Sequence, residues 1–308
     1  MADRKACCIP QRAAAPTSQP RYAVADMQPA EQNLVSLEGG WFQMGANDGP
    51  HPQDGEGPVR DVFVDAFAIS MTTVTNGDFA GFVHATGYET TAERIGSSFV
   101  FHAYIESGTE TKPARQAPWW HEVRGACWNR PYGPTSNLED LSDHPVTHVS
   151  LENAHSYCAW AGMRLPTEAE WEFAARGGLQ GAPFPWGDEL CPNGQHRCNI
   201  WQGDFPHRNC FDDGYGATAP ARCYQPNGYG LYAMTGNVWE WTADRFTRLH
   251  SPQPTRNPVG PLNGTQFVAK GGSYLCHASY CLRYRTLSRQ ALSPHSTAGN
   301  LGFRVVAR

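Results

Sequence analysis

Beyond Gly177-Gly178 no helical period survives, and that limits what the rest of the chain can become. Apolar residues there come in short runs broken by glycine and proline, the pattern of short strands and turns. The whole 308-residue chain carries 31 glycines, 24 prolines and 10 tryptophans, with only 17% charged residues. Such a mixture disfavours a helix bundle and favours loop-rich backbone pinned by aromatic side chains. No internal repeat and no second hydrophobic core is visible, so one domain is expected.

Three helices are expected before that point. Thr75 or Asn76 caps the first, which places Phe79, Phe82 and Val83 at helical spacing and ends at Gly87. Ser150 caps the second, which runs through Ala161 with Tyr157 and Trp160 on its inner face. Thr167-Glu168-Ala169-Glu170 forms a capping box at the start of the third. Trp41 to Gly45 and Arg60 to Phe67 read as strands. Residues 97–145 have scattered aromatics and many prolines, so irregular backbone is expected there, the kind that often forms a substrate groove. Residues 1–33, rich in Ala, Pro, Gln and Ser, read as a disordered tail, with the folded domain spanning 34–308.

A net charge of −5 provides no basic footprint for nucleic acid. With a mean hydropathy of −0.51 and no bilayer-length apolar run, no membrane partner is expected. No apolar segment follows the first residues, so no secretory signal is expected, and ten cysteines in a chain this long do not make a small disulfide scaffold.

The chemistry concentrates in Gly271-Gly272-Ser273-Tyr274-Leu275-Cys276-His277-Ala278-Ser279-Tyr280-Cys281-Leu282-Arg283-Tyr284-Arg285. Paired thiolates at short spacing are soft ligands for Cu(I), zinc or an iron–sulfur centre. The same pair could be a redox disulfide or two inert thiols. The polar flanks Ser273, His277, Ser279 and Arg283 argue against inert thiols, which usually sit among aliphatics. Cys191, Cys198, Cys210 and Cys223 match no zinc-site spacing and read as a local disulfide or free thiols. Asn199 and Asp213, with the carbonyls of Ile200 and Tyr215, offer oxygen donors on turn-rich backbone, which suits either Ca²⁺ or a pair of Asx-turns.

This cysteine stretch, with Asn300-Leu301-Gly302-Phe303-Arg304, resembles the formylglycine-generating enzymes, the sulfatase-modifying factors. The resemblance extends over Gly39 to Gly45, His144-Pro145-Val146, Arg164 to Glu172, Asn199 to Gly203 and Gly236-Asn237-Val238-Trp239-Glu240-Trp241, and so from about Val35 to the C-terminus. It implies a compact α+β domain, related to C-type lectins and low in regular secondary structure. It also implies oxidation of the cysteine in a Cys-x-Pro-x-Arg segment of an unfolded or nascent type I sulfatase, with O2 as co-substrate and Cu(I) held by Cys276 and Cys281. Ser273, Tyr280, His277, Asn300 and Trp239 match active-site positions. Asn199, Ile200, Asp213 and Tyr215 match a structural calcium site. A second site would use Gly236, Val238 and Glu240, but Ala233 stands where the family has an asparagine. Eukaryotic members have disulfide cysteines where this chain has Thr286 and Val305, which leaves Cys158 without its partner. A bacterial, cytoplasmic, monomeric enzyme is the implied setting. Two other classes remain: a non-catalytic ligand-binding relative, against which the cysteine pair speaks, and an iron-dependent sulfoxide synthase, whose extra helical domain this chain lacks room for.

Two details depart from the family. The acidic grip of its eukaryotic members on the substrate arginine is replaced by Thr73 and Ser97. And the tail itself contains Cys8-Ile9-Pro10-Gln11-Arg12, in the Cys-x-Pro-x-Arg form, which reads first as a chance match in an unstructured tail and otherwise as a weak tethered competitor or a self-substrate.

Overall fold

Hydroxyl caps and left-handed glycines set the helix limits. In the computed structural model, which describes residues 9–12, 33–115 and 117–308, the α-helices are α1 (Asn76–Thr86), α2 (Thr91–Ile95), α3 (Leu151–Ala161) and α4 (Glu168–Arg176). Each begins at a Thr or Ser whose hydroxyl accepts from the third helical amide, while the side chain of that third residue accepts from the capping amide. Each ends on a left-handed glycine, Gly87, Gly96, Gly162 or Gly177. The short α2 was not expected, because five residues are too few to show an apolar period. Its box, Thr90 with Glu93, was the available signal.

The strands form small sheets around these helices. Leu34–Leu37 pairs antiparallel with Phe67–Ser70, which also pairs with Val306–Ala307, so both ends of the domain meet in one sheet. The expected strand Arg60 to Phe67 divides at Asp65-Ala66 into Arg60–Val64 and Phe67–Ser70, which belong to different sheets. A central sheet orders Arg289–Leu292, Phe267–Lys270, Trp239–Arg245 and Leu301–Phe303.

Residues 97–145 are more regular than expected. Ser97–Phe101, Ala117–Arg124 and Thr111–Ala114 form a three-stranded antiparallel sheet, with Phe99 opposite Glu122. The alternation of Ala117–Arg124 was obscured by two adjacent tryptophans. The tail expectation also needs correction over four residues. Ile9 is fully buried in the main apolar cluster, and Pro10, Gln11 and Arg12 pack on the domain. Cys8 lies outside the described residues.

Around α4 the core carries charge. Lys270 Nζ sits 2.9 Å from Glu172 and 3.7 Å from Glu168. Arg176 pairs with Glu172 at 2.7 Å, and Arg289 grips Glu168 at 2.6 and 2.7 Å. Burial pushes the Glu172 carboxyl up, but Lys270 and Arg176 outweigh it and hold the group well below the usual carboxylate range. The Arg-Leu-Pro-Thr-Glu-Ala-Glu-Trp-Glu block is thus a structural device.

Candidate active site

The cysteine segment is a loop closed at its neck. The chain leaves Phe267–Lys270 through Gly271 and Gly272, both with positive φ, and a Cβ on Gly272 would fall 2.3 Å from the Arg283 carbonyl oxygen. Only glycine lets the two ends of the loop approach so closely. Within it, Cys276 N donates to Ser273 O at 2.8 Å, and the amides of Tyr280, Cys281 and Leu282 converge on the His277 carbonyl at 3.0, 2.9 and 3.3 Å. One tight turn therefore separates the two cysteines, and both are buried, 0% and 1% exposed. The Trp201 amide holds the Cys276 carbonyl at 3.1 Å, and the His51 ring contacts the Cys281 carbonyl. Arg283 is fixed to Asp54 at 2.7 Å, which fastens the loop of residues 47–58 over this turn.

Behind the cysteines lies a buried polar shell. Asn300 Nδ2 donates to Ser273 Oγ at 2.9 Å, and the Asn300 carbonyl accepts from the Trp239 amide at 2.9 Å. Asn300 Oδ1 and the indole nitrogens of Trp239 and Trp201 are buried with no hydrogen-bond partner. Trp241 and Trp171, by contrast, donate to Val149 O and Glu240 at 3.0 and 2.7 Å. Unpartnered buried atoms occur elsewhere too, on Trp128, Trp160, Arg176 and Gln290 among others; what sets Asn300 Oδ1 apart is that its residue is bonded to Ser273 at the start of the cysteine loop. Cys276, Cys198 and Cys281 all lie close enough to Tyr284 to raise its hydroxyl pKa, after the larger effect of burial.

Tyr280 stacks on Phe205 at 4.8 Å and meets Trp119 edge-on at 5.0 Å. Phe205 and Trp201 continue this aromatic path to Phe101 in the sheet of Ser97–Phe101. His277 bonds Ser279 Oγ at 2.8 Å at the half-exposed rim, where partial burial lowers its pKa. Of the sequence-derived residues, Cys276, Cys281, Ser273, Asn300 and Trp239 are thus brought together inside, with Tyr280 and His277 at the mouth.

A groove of about 460 Å³ runs along the sheet, lined by Phe99, Ala117, Glu122 and residues of Thr111–Ala114, with Ile9, Pro10 and Gln11 of the tail. Ser97 lies beside it, its hydroxyl donating to Glu122 at 2.7 Å, whereas Thr73 is buried. Glu122 was missed, because nothing in the sequence pairs it with residue 97. Burial raises its pKa, but the Ser97 hydroxyl and Arg12 outweigh this and lower it.

The calcium residues form a second polar knot. Asp213 accepts from Ile200 N at 3.0 Å, Gln202 Nε2 at 2.7 Å and Tyr215 N at 3.0 Å, while Asn199 Oδ1 is buried and unpartnered. Glu240 differs from the expected second set. Both its oxygens are taken by Arg304, at 2.6 and 2.8 Å, and one also by the Trp171 indole, so it holds the core rather than presenting a free carboxylate. Among the described residues no three His, Cys, Asp or Glu groups converge as a metal cluster. Cys158 is a buried free thiol, pushed up to about 12 by burial, as the missing partner implied.

A loop-rich α+β domain with a buried cysteine pair on one tight turn defines the class. The model of the sulfatase-modifying factor enzyme 1-like domain matches residues 21–308. Formylglycine-generating enzymes of Thermomonospora curvata and Streptomyces coelicolor are 52% and 53% identical, covering 91% and 88% of this chain and 95% and 87% of their own. The structure of PvdO from Pseudomonas aeruginosa superposes with a TM-score of 0.67 at 24% identity, over 94% of this chain and 99% of that one, which speaks for the fold alone. The chain belongs to the sulfatase-modifying factor family and is an enzyme of the formylglycine-generating type.

Proposed function

We propose that this enzyme oxidises the cysteine of a Cys-x-Pro-x-Arg segment in sulfatases to formylglycine, consuming O2. The observation that carries this is the buried pair Cys276 and Cys281 on one tight turn, with the unpartnered polar atoms of Asn300 and Trp239 in the same core. Two soft sulfur donors, sheltered from water, fit Cu(I), and when bound there it would supply the one-electron chemistry that lets O2 react.

The chain's own residues supply position. The packed rings of Trp119, Phe205 and Tyr280 offer an apolar face against which a substrate peptide would rest. Ser273 and Asn300 are locked together, which leaves Asn300 Oδ1 and the Trp239 indole N–H as fixed polar contacts for a small reactant. Glu122 and Ser97 give the groove an acidic end for the substrate arginine. Conversion of a thiol to an aldehyde and sulfide removes two electrons from the peptide. Reduction of O2 to water takes four, so two external thiols, leaving as a disulfide, donate the other two with their protons.

Asn199 and Asp213 support a structural Ca²⁺, since the orphaned Asn199 Oδ1 and a buried carboxylate suit a hard cation. The free thiols Cys127, Cys158, Cys191, Cys198, Cys210 and Cys223 fit action in a reducing cytoplasm. The test is mass spectrometry of a synthetic Cys-x-Pro-x-Arg peptide incubated with enzyme, Cu(I), a thiol and air. A peptide aldehyde is expected, and an unchanged peptide would overturn the proposal.

A further inference from the structure

The chain's own Ile9, Pro10 and Gln11 form part of the groove's lining, and Arg12 continues from them to Glu122. Ile9 is 0% exposed and shares the apolar cluster with Phe99, Ala117, Trp120 and the two cysteines. Gln11 is held at both ends of its amide: it donates to Ala291 O at 2.7 Å and accepts from Ser293 N at 3.0 Å and Gln266 Nε2 at 3.2 Å. Arg12 reaches the acidic end. Its guanidinium donates to Glu122 at 2.9 Å and to the Ser97 carbonyl and hydroxyl at 3.0 and 3.3 Å, and stands 5.1 Å over the Phe99 ring. Phe99 and Glu122 are directly opposite across the strands, so one cross-strand pair offers a π face and a charge to the same cation.

A tail segment resting on the domain by chance would leave its arginine in water and its isoleucine half covered. Here the apolar residue goes in and the charged one finds a carboxylate, as a bound peptide does. We propose that Ile9–Arg12 is a built-in occupant of the peptide groove, an internal competitor that an external substrate must displace. This rests on reading the groove as the site for Cys-x-Pro-x-Arg, the spacing that Cys8-Ile9-Pro10-Gln11-Arg12 reproduces. Joined to the domain through residues 13–32, the segment is present at an effective concentration on the order of millimolar. External peptides bind against that standing competition.

The experiment is fluorescence anisotropy with a labelled peptide of residues 6–14, both cysteines replaced by serine, titrated with the full-length chain. The double variant Pro10→Ala/Arg12→Ala should bind this peptide about tenfold more tightly than the wild type, and adding Glu122→Gln to it should weaken binding about tenfold. Equal affinity of wild type and double variant would overturn the proposal, as would binding indifferent to Glu122→Gln. Because the readout is binding, its failure is separable from failure of the proposed reaction. A chain that shows the competition but oxidises no peptide loses the proposed function and keeps the occupant. A chain that oxidises peptide with no competition does the reverse.

Discussion

Two buried polar regions of this enzyme are built on opposite terms. Around α4 and Lys270, Glu168 and Glu172 are ion-paired and hydrogen-bonded, and the Glu240–Arg304 pair beside them is bidentate. Around Ser273 and Asn300 the shell is half-finished, with an amide oxygen and two indole N–H groups left without partners. A network in which each buried carboxylate is ion-paired is costly to break, even with Arg176 Nε left unpartnered. An incomplete one adds little stability and leaves polar groups available to a reactant. The contrast predicts that substitutions in the first region act on stability and those in the second on turnover.

The largest effect on folding should come from Lys270→Met. It leaves Glu172 with Arg176 and removes the cation between Glu168 and Glu172, which should cost about 3–5 kcal/mol, read as a lower denaturant midpoint at unchanged slope. The wild type should also lose stability in acid. Glu172 and Glu168 are held below the ordinary carboxylate value of 4.5, so their contribution is full above that pH and disappears as pH falls below it. If Lys270→Met melts like the wild type, the core network is not the keystone described here.

Asn300→Leu sharpens the other side. It removes one hydrogen bond to Ser273 and one orphaned oxygen, so stability should change by about 1 kcal/mol or less, while peptide turnover should fall at least about tenfold. A large loss of stability with normal turnover would reverse the contrast.

Smaller still is the expected effect of Asp213→Ala. It should lower the melting temperature by a few degrees and remove its response to added Ca²⁺, because an ion bound only to the folded chain stabilises by mass action. A wild type that melts identically in EDTA and in calcium would exclude the ion.

Local signals were legible in the sequence, and long-range ones were not. Thr75, Ser150 and Thr167 reveal helix starts because a cap needs only residues three apart. The division of the strand at Asp65-Ala66 is decided by two different sheets, which no local pattern records. The cysteine pair was visible as a motif, and the family resemblance supplied Asn300 and Trp239. That their polar atoms lack partners, while those of Trp241 and Trp171 do not, appears only after packing. Glu122 was invisible for the same reason: its meeting with Ser97 and Arg12 depends on strand register. The tail motif could be read from its residues, but its docking could not.

The central claim is that Cys276 and Cys281 together make a soft-metal site. The most direct test is Cu(I) affinity, measured by competition with a chromophoric chelator, for the wild type, Cys276→Ser and Cys281→Ser, each first shown to keep its denaturation midpoint. The wild type should take up one Cu(I) tightly, and each serine variant should lose that binding by at least about a hundredfold, because a hydroxyl is a hard, poorly ionised ligand. A folded Cys276→Ser or Cys281→Ser chain that binds Cu(I) as tightly as the wild type would contradict it.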